Sequence, residues 1–435
     1  MRLLTFTIAV QLTAAALAQD EPRALSLASA VELALEQNPS LAAMREELPA
    51  AVARLRMAQA EGRLSASTHT YLSTGTMPNT VPSPDAVMPR MYMGVPAGSR
   101  VDQNVTLMVP LSTGGRVASR ARAAAAGQRA VEQDIESMLL EVAYMVRAAY
   151  WEALYRAEMV QVQEESVNEQ RERLRVDQAK YDAGKIPLFY VLRDKAELAD
   201  AEQELTDAQR DAEAALLDVR AAIGLPLTAP LQLTDALQYD PAAADPNAEE
   251  LAAQARTNRP EVRALAARVE AAQREVAARK AAYRPQLDAM LMFDAEKASG
   301  MGLDGGYTVG LVGSLPLFDG GERKAGVAEA EAMARKLERD QEALALRIER
   351  ELRGALLDLA AANRNVRTAL EAEASAEEDH RVAAVGYDAG KLINLEAVSA
   401  LAALVQARTN VAEARFEFNL ATDAVRRSAG ALPEP

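Results

Sequence analysis

The 435-residue sequence contains no cysteine, and aromatic side chains make up only 4% of it. Without cysteine the chain has no disulfide bonds, no thiol chemistry and no lipid attached at an N-terminal cysteine. A low aromatic content is unusual for a compact core and is typical of long helices rich in Ala, Glu and Arg. We therefore expect packing between helices, or between subunits, to hold this protein together.

Positive charge and long apolar segments are also scarce. The formal net charge is −15 at pH 7, which argues against nucleic acid as a partner. A membrane-spanning helix needs about 20 apolar residues, and no window after the N-terminus supplies them. The N-terminus itself combines Arg2, an apolar run over 3–17, and the small residues Ala16 and Ala18. This pattern predicts a secretory signal peptide over residues 1–18, and export without a helical membrane anchor.

Proline is missing from two stretches of 68 residues, 116–183 and 322–389. At 1.5 Å per residue, each stretch would form a helix roughly 100 Å long. Apolar residues in the second stretch follow each other at steps of three and four, as in the seam of a coiled coil. Each stretch closes with the same five residues, YDAGK, at 181–185 and again at 387–391.

The repeated YDAGK belongs to a duplication that covers most of the chain. Glycines recur at a constant offset of 206 residues, in the pairs Gly114 and Gly320, Gly184 and Gly390, and Gly224 and Gly430. Upstream the offset is 221, so the first half carries 15 additional residues (221 minus 206). They fall in a segment with five prolines, which predicts a surface loop.

Four short segments alternate between apolar and polar residues, as strands with one solvated face do. We predict strands at about 66–74, 101–111, 285–296 and 307–317. In the second of these, Val105, Leu107 and Val109 share one face. The lengths suit the roughly 9–11 residues of a tilted membrane-spanning strand.

The duplication predicts two structural repeats, 19–226 and 250–435, joined by a linker over 227–249. Each repeat runs from short helices through two strands to a long helix and a returning helix. Long helical hairpins are therefore predicted at 116–224 and 322–430. The predicted fold class is mainly α with membrane β.

Four strands in one chain cannot form a closed barrel. They would leave two unpaired edges, which lipid does not tolerate, and bacterial outer-membrane barrels need at least about 8 strands. A dimer would bring together about 8 strands and a trimer about 12, at four strands a chain. The sequence thus predicts a barrel shared between several copies and continued by the long helices.

Three kinds of motif carry a resemblance to a known family. They are the opening helix LSLASAVELALEQNPSL, the strand-to-helix junctions PLSTGGR and PLFDGGE, and the two YDAGK turns. In this order, and duplicated, they resemble the TolC-type outer-membrane efflux family over essentially the whole mature sequence. The resemblance implies a homotrimer with a β-barrel in the outer membrane and a coiled-coil α-helical tunnel across the periplasm. It also implies contact with outer-membrane lipid, docking onto a periplasmic adaptor protein and an inner-membrane pump, and no enzymatic activity or cofactor.

The resemblance places the inner tip of the tunnel at the two YDAGK turns. A helix that stops there needs a residue at positive φ, which glycine adopts at the least steric cost. Asn394 is a candidate N-cap of the second returning helix. The turns also have a simpler interpretation, as good helix–helix turns without a further role. The implied adaptor-docking residues are Tyr181, Asp182, Gly184, Lys185, Tyr387, Asp388, Gly390 and Lys391.

Members of the family often narrow the tunnel with acidic residues just beyond this turn in the second half. Glu396 stands six residues after Gly390, whereas Ser399 stands where a second carboxylate is expected. Tyr190 and Asp194 are the matching candidates in the first half. Glu396 has an equally good interpretation as an ordinary acidic residue at a helix N-terminus. The strand-to-helix junctions are assigned to two glycine pairs, Gly114 with Gly115 and Gly320 with Gly321.

Other signals are weaker. Soft methionine ligands for a metal could come from the proline-rich loop, although loop methionines are more often incidental, and no metal site is assigned. Pro49 predicts a kink in the first repeat that the second lacks. The main alternative function is a periplasmic coiled-coil adaptor, and the next is a secreted helical scaffold. The duplicated hairpin argues against the first, and the apolar strand faces argue against the second. The cargo cannot be identified from the sequence.

Overall fold

The computed structural model describes residues 23–75, 98–244, 246–298 and 302–431. The predicted signal peptide and the proline-rich loop with Met77, Met88, Met91 and Met93 lie outside the described residues. The elements are, in chain order, β1 (Arg23–Leu25), α1 (Leu27–Gln37), α2 (Pro39–Arg45), α3 (Glu47–Ala60), β2 (Ser65–Gly75), β3 (Gly98–Ser112), α4 (Arg116–Asp182), α5 (Leu188–Ile223), β4 (Leu231–Leu233), a 3-10 turn (Pro241–Ala244), α6 (Ala248–Asn258), α7 (Pro260–Ala281), β5 (Gln286–Ala298), β6 (Leu303–Ser314), α8 (Glu322–Asp388) and α9 (Asn394–Ser428).

Local sequence sets the ends of the first helices. The Asn38 side chain accepts hydrogen bonds from the N–H groups of Ser40 and Leu41, at 2.9 and 3.1 Å, and so caps α2. The chain then breaks at Glu46, between α2 and α3. Pro49 explains this break, because a proline ring clashes with the carbonyl group four residues earlier. In the second repeat the corresponding helix, α7, continues without interruption.

Two long hairpins form most of the molecule. The outgoing helices α4 and α8 each have 67 residues, and the returning helices α5 and α9 have 36 and 35. Near the turns, α4 packs against both α5 and α9, and α8 packs against α9, so the order is α5, α4, α9, α8. Closer to the sheet, α3 and α7 replace the returning helices beside α4 and α8. The predicted duplicated plan is confirmed.

The four-stranded antiparallel sheet has the order β2-β3-β5-β6. Its register aligns Leu107 with Leu291 and Leu291 with Val309, so apolar residues from three strands share one face. On the other face Asn104 Nδ2 donates to Asp294 Oδ1 at 2.8 Å. The sheet therefore has one apolar and one polar side, as the alternation predicts.

The last strand lies earlier in the sequence than predicted. β6 begins at Leu303 and ends at Ser314, whereas the pattern predicts 307–317. At its start, Asp304 pairs with Glu296, which brings two residues of the glycine-rich segment, Gly305 and Gly306, into the strand. At its end Pro316 has no N–H to donate to a ladder, so the pairing stops before it.

A small parallel sheet was not predicted. β1 pairs with β4, which belongs to the segment predicted as a linker. The hydroxyl group of Tyr150, a fully buried residue of α4, contacts Leu25 O at 2.8 Å and Asp235 Oδ2 at 2.7 Å. These contacts fasten both strands to the middle of the first hairpin, beside the largest buried apolar cluster. In the described ranges, no helix combines the length and apolarity needed to cross a membrane.

Candidate functional site at the helical turns

The two YDAGK turns have the same backbone geometry. Gly184 and Gly390 both have φ of +68°, as predicted. At the first turn the N–H of Lys185 donates to Lys180 O at 2.9 Å, and at the second the N–H of Lys391 donates to Gly386 O at 2.9 Å. This six-to-one hydrogen bond is the Schellman ending of a helix. A Cβ at either glycine would meet no atom within 4 Å, so the left-handed conformation, and not crowding, selects glycine.

Side chains beside the turns join the two hairpins. The hydroxyl group of Tyr387 on α8 donates to the carboxylate of Asp177 on α4, with O–O distances of 2.7 and 2.6 Å. Asp177 has no exposed surface. Burial first, and then the hydrogen bond to Asp177, raise the pKa of Tyr387 well above its ordinary value. The phenol therefore stays protonated and remains a donor to the carboxylate.

Asn394 does not cap α9, in contrast to the prediction. The N-cap position belongs to Ile393, whose N–H donates to the Glu396 carboxylate at 3.0 Å. The Asn394 side chain turns inward instead and is fully buried. Its Nδ2 donates to Asp177 Oδ2 at 3.1 Å and to Asp194 Oδ1 at 3.2 Å. It turns inward because two buried carboxyl groups, on α4 and α5, lie within its reach. At the exposed end of the helix, the Glu396 carboxylate already accepts the N–H of the N-cap residue.

A lysine completes this arrangement. Lys180 Nζ lies 3.6 Å from Asp177 Oδ1 and 3.3 Å from Asp388 Oδ1, so it bridges the two hairpins. It also lies 4.0 Å from the centre of the Tyr387 ring, within the range of a cation–π contact. We call the six side chains around this point the tip cluster: Asp177, Lys180, Asp194, Tyr387, Asp388 and Asn394.

Asp194 is not placed as predicted for a pore constriction. It has no exposed surface and lies between the hairpins, whereas a carboxylate that lines a channel must be open to water. Burial is the main cause that raises the pKa of Asp194 to about 6, and the charge of Asp177 adds to it. Tyr190 is half-buried, with its ring centre 4.2 Å from that of Phe189. Among the three constriction candidates, Glu396 alone has an exposed side chain.

The surface around the turns exposes apolar side chains. They follow the turns on the two returning helices, with exposed fractions between 47% and 56%, and comprise Leu188, Phe189, Leu192, Ile393 and Leu395. Exposed apolar groups that cluster on a soluble part of a protein mark a contact surface. The other tip residues, Tyr181, Asp182 and Lys185 in the first turn and Lys391 in the second, are also exposed.

The strand-to-helix junctions lie at the opposite end of the long helices. All four glycines there, Gly114, Gly115, Gly320 and Gly321, have positive φ. At the first junction the Arg284 guanidinium donates to Gly114 O at 3.1 Å. At the second, the Asp319 carboxylate accepts from the N–H groups of Gly321 and Arg323, at 3.1 Å each. These contacts fix the sharp change of direction between the sheet and the helices.

The sequence pattern missed two members of the tip cluster, Asp177 and Lys180, and the inward role of a third, Asn394. The constant offset of 206 residues contains a signal for part of the cluster. The counterpart of Asp177 is Ala383, that of Asp194 is Ala400, and that of Asn394 is Leu188. A departure from the repeat at three positions that converge in space indicates a contact between the two hairpins that the duplication does not reproduce.

The family model described as "Outer membrane efflux protein" matches residues 30–225 and 251–431. Both repeats are therefore covered, and the alternative of a periplasmic adaptor is excluded. No curated protein matches this chain.

Solved structures share the fold. The outer-membrane protein VceC from Vibrio cholerae is 17% identical, with a TM-score of 0.75 over 94% of this chain and 97% of its own. The Campylobacter jejuni channel CmeC is 17% identical, with a TM-score of 0.77 over 93% and 85%. The open state of the Neisseria gonorrhoeae channel MtrE is 18% identical, with a TM-score of 0.75 over 94% and 90%. At such identities the likeness concerns the fold.

Proposed function

The chain belongs to the outer membrane efflux protein family, and from that premise we propose that three copies assemble into one exit duct with a docking tip and a gate. The edges of the described sheet support the trimer. β2 and β6 are its two outer strands and have no further neighbour within the chain's described residues. Each edge would expose unpaired backbone groups to lipid at a cost of several kcal/mol a group. Pairing β6 of one copy with β2 of the next removes every edge.

The apolar face of the sheet is the observation that carries this proposal. In β6 three side chains of one face are largely exposed in the single chain, Tyr307 at 74%, Val309 at 71% and Leu311 at 68%. Thr308 and Gly310 between them belong to the polar face. An apolar outer band with a polar lumen is the arrangement that a membrane barrel requires. The helices then extend into the periplasm from one end of the barrel.

At the far end of the helices, we assign adaptor docking to the two turns. The glycine turns have a compact backbone, so a partner can approach them closely. The exposed apolar residues that follow the turns form a surface that a helical hairpin of a partner can bury. An inner-membrane pump would deliver the cargo through that adaptor. Tyr181, Asp182, Gly184 and Lys185, with their counterparts Tyr387, Asp388, Gly390 and Lys391, are the contact residues of this proposal.

The tip cluster has a separate proposed role, which is to hold the two hairpins together when the duct is closed. Tyr387, Lys180 and Asn394 all bridge between the hairpins, and opening of the tip would break these contacts. Glu396 remains the candidate for a single carboxylate ring at the entrance because its side chain is exposed.

Cysteine scanning tests docking directly, since the chain has no cysteine of its own. Single cysteines are placed at Lys185 and Lys391, and as a matched control at Asp240, which is exposed far from the turns. We expect outer-membrane trimers, and crosslinks to the periplasmic adaptor from the two tip positions but not from Asp240→Cys. Recovery of the protein in the soluble periplasm without detergent would overturn the duct. Trimers that crosslink to the adaptor from Asp240→Cys but not from the turns would overturn docking at the tip.

A further inference from the structure

The tip cluster contains two carboxyl groups that are buried together. Asp177 on α4 and Asp194 on α5 both have no exposed surface. Two neighbouring negative charges in such a place repel each other, and each has lost its hydration. Paired carboxyl groups in proteins resolve this conflict by retaining one proton between them. The chemistry of the pair therefore depends on which group holds that proton.

Hydrogen-bond donors are distributed unequally between the two groups. Asp177 accepts from the Tyr387 hydroxyl and from Asn394 Nδ2, and Lys180 Nζ lies 3.6 Å away. Asp194 accepts from Asn394 Nδ2 on Oδ1, but its buried Oδ2 has no partner among the described residues. Asp177 therefore carries the negative charge, and Asp194 is the group that takes the proton.

A second buried atom beside Asp194 also lacks a donor. Asn394 Oδ1 is buried and has no hydrogen-bond partner within the described ranges. An ionised carboxylate can only accept, whereas a protonated one has an O–H to donate. With the proton present, Asp194 can donate to an oxygen of Asp177 or of Asn394. The O–H of Asp194 then supplies a donor to a site that otherwise contains more buried acceptor oxygens than donors.

The surroundings of Asp194 favour this protonation in mildly acidic solution. Burial is the largest cause that raises its pKa, from 3.8 to about 6, and the charge of Asp177 contributes in the same direction. The hydrogen bond from Asn394 and the positive charge of Arg173 lower the pKa, and they do so less than burial raises it. When opening of the tip exposes Asp194 to water, the pKa of its carboxyl group would return to the ordinary value.

We propose that Asp194 binds a proton, shared with Asp177, while the two hairpins are in contact, and that release of this proton weakens the contact and favours the open tip. This role presupposes that the tip is the gate of the duct, as proposed above. The pKa is higher in the closed tip than in the open one, so the closed tip is favoured in acid. That advantage declines as the pH rises from about 4 to about 6 and is absent above this range. Two pKa units correspond to roughly a 100-fold change in the ratio of closed to open tips.

Other charged groups face Asp194 from the elements packed around it. From α8, Tyr387 stays protonated throughout this range, because its pKa is raised above its ordinary value. On α9 the neighbouring group is the amide of Asn394, which does not titrate. A small cavity beside the cluster is also lined by His380 on α8. The charged or titratable groups to be considered are Arg173, Asp177 and Lys180 on α4, and His380, Tyr387 and Asp388 on α8.

The test uses the full-length trimer in planar lipid bilayers, with the pH of the helical side varied from about 4.5 to about 8. For the natural sequence we expect conductance to rise with pH, mainly between about pH 4 and about pH 6. Asp194→Asn is neutral at every pH and keeps the shape of the carboxyl group. It should remove the transition and hold the tip in its low-conductance state. His380→Gln and Asp200→Asn, an exposed carboxylate on α5, are the controls and should retain the transition.

A transition that persists in Asp194→Asn, or disappears in His380→Gln, would overturn the role of Asp194. So would channels of the natural sequence with no pH dependence in this range. Each of these three results would leave the proposed duct intact. Failure to form any channel would instead contradict the proposed function. Difference infrared spectroscopy gives an independent measurement of the same proton. The difference between the natural sequence and Asp194→Asn should contain the carbonyl band of one protonated carboxyl group, which is present in acid and declines with the conductance transition.

Discussion

Arg147 and Asp423 form a buried ion pair between the two hairpins, with Arg147 Nε 2.8 Å from Asp423 Oδ2. The residues are 276 positions apart, and their side chains are only 8% and 2% exposed. The indole N–H of Trp151 donates to the same oxygen at 2.7 Å. This carboxylate therefore accepts from one buried and one half-buried side chain of α4. It joins the middle of the hairpins, and the tip cluster joins their ends.

Asp423→Ala should strongly destabilise the protein. The substitution leaves the buried Arg147 charge without its partner, and such a loss costs about 3–5 kcal/mol. Thermal unfolding followed by circular dichroism measures the effect. The matched control is Glu172→Ala, which breaks a fully exposed pair with Arg175 and should change the unfolding midpoint little. Equal losses in the two variants would contradict a structural role of the buried pair.

Tyr387→Phe should favour the open tip. It removes the donor to a buried carboxylate, and a hydrogen bond to a charged group contributes about 1.5–3 kcal/mol. Single-channel recordings should show a higher conductance or open probability than in the natural sequence. Tyr181→Phe is the control because Tyr181, the counterpart at the first turn, is 36% exposed. Unchanged recordings in Tyr387→Phe would show that the hydrogen bond to Asp177 does not hold the tip closed.

Gly224→Ala should be more damaging than Gly184→Ala, although both glycines have positive φ, +93° and +68°. A Cβ at Gly224 would lie 2.7 Å from Gln37 O, whereas one at Gly184 meets open space. Gly184→Ala therefore costs only the left-handed conformation, about 1–2 kcal/mol, while Gly224→Ala must also displace the backbone of the first helix. Comparison of the two unfolding midpoints gives the answer. A lower midpoint for Gly184→Ala would contradict the close approach at Gly224.

Val309→Arg should prevent assembly of the barrel, and Thr308→Arg should not. The two residues are adjacent in β6 and point to opposite faces of the sheet, the apolar face and the polar face. A charged side chain facing lipid costs about 2–4 kcal/mol near the middle of the bilayer, in each of the copies. Heat-sensitive trimers extracted from the outer membrane measure assembly. If Thr308→Arg abolished the trimers and Val309→Arg did not, the apolar face would line the lumen instead.

Glu396→Gln should reduce the preference of the channel for cations over anions. The carboxylate is exposed just beyond the second turn, and a ring of such charges concentrates cations. Reversal potentials in a salt gradient measure the preference. An unchanged preference would contradict a carboxylate ring at the entrance. Glu396 would then serve only as the acceptor for the N–H of Ile393, at 3.0 Å, at the start of α9. The exposed carboxylate Asp182→Asn at the first turn provides the control.

The sequence by itself determined the long helices, the strands of the larger sheet and their order, because these follow from local chemistry. The absence of proline allows helices as long as α4 and α8, and the glycines at 184 and 390 end them, since L-residues with a Cβ resist positive φ. Alternation at Val105, Leu107 and Val109 determines one apolar face of the sheet. The constant offset of 206 residues predicted the duplicated plan without any three-dimensional information.

The tertiary structure decided which side chains meet between the hairpins. Asn394 has the local pattern of an N-cap, but the carboxyl groups of Asp177 and Asp194 come within its reach only when α4, α5 and α9 pack together. Pairing of β1 with β4 likewise depends on the buried Tyr150 hydroxyl, far away in sequence. Such contacts join residues that are between 85 and 217 positions apart, and their energies depend on burial. No pattern within one helix or strand contains that information, so the tip cluster became visible only in the fold.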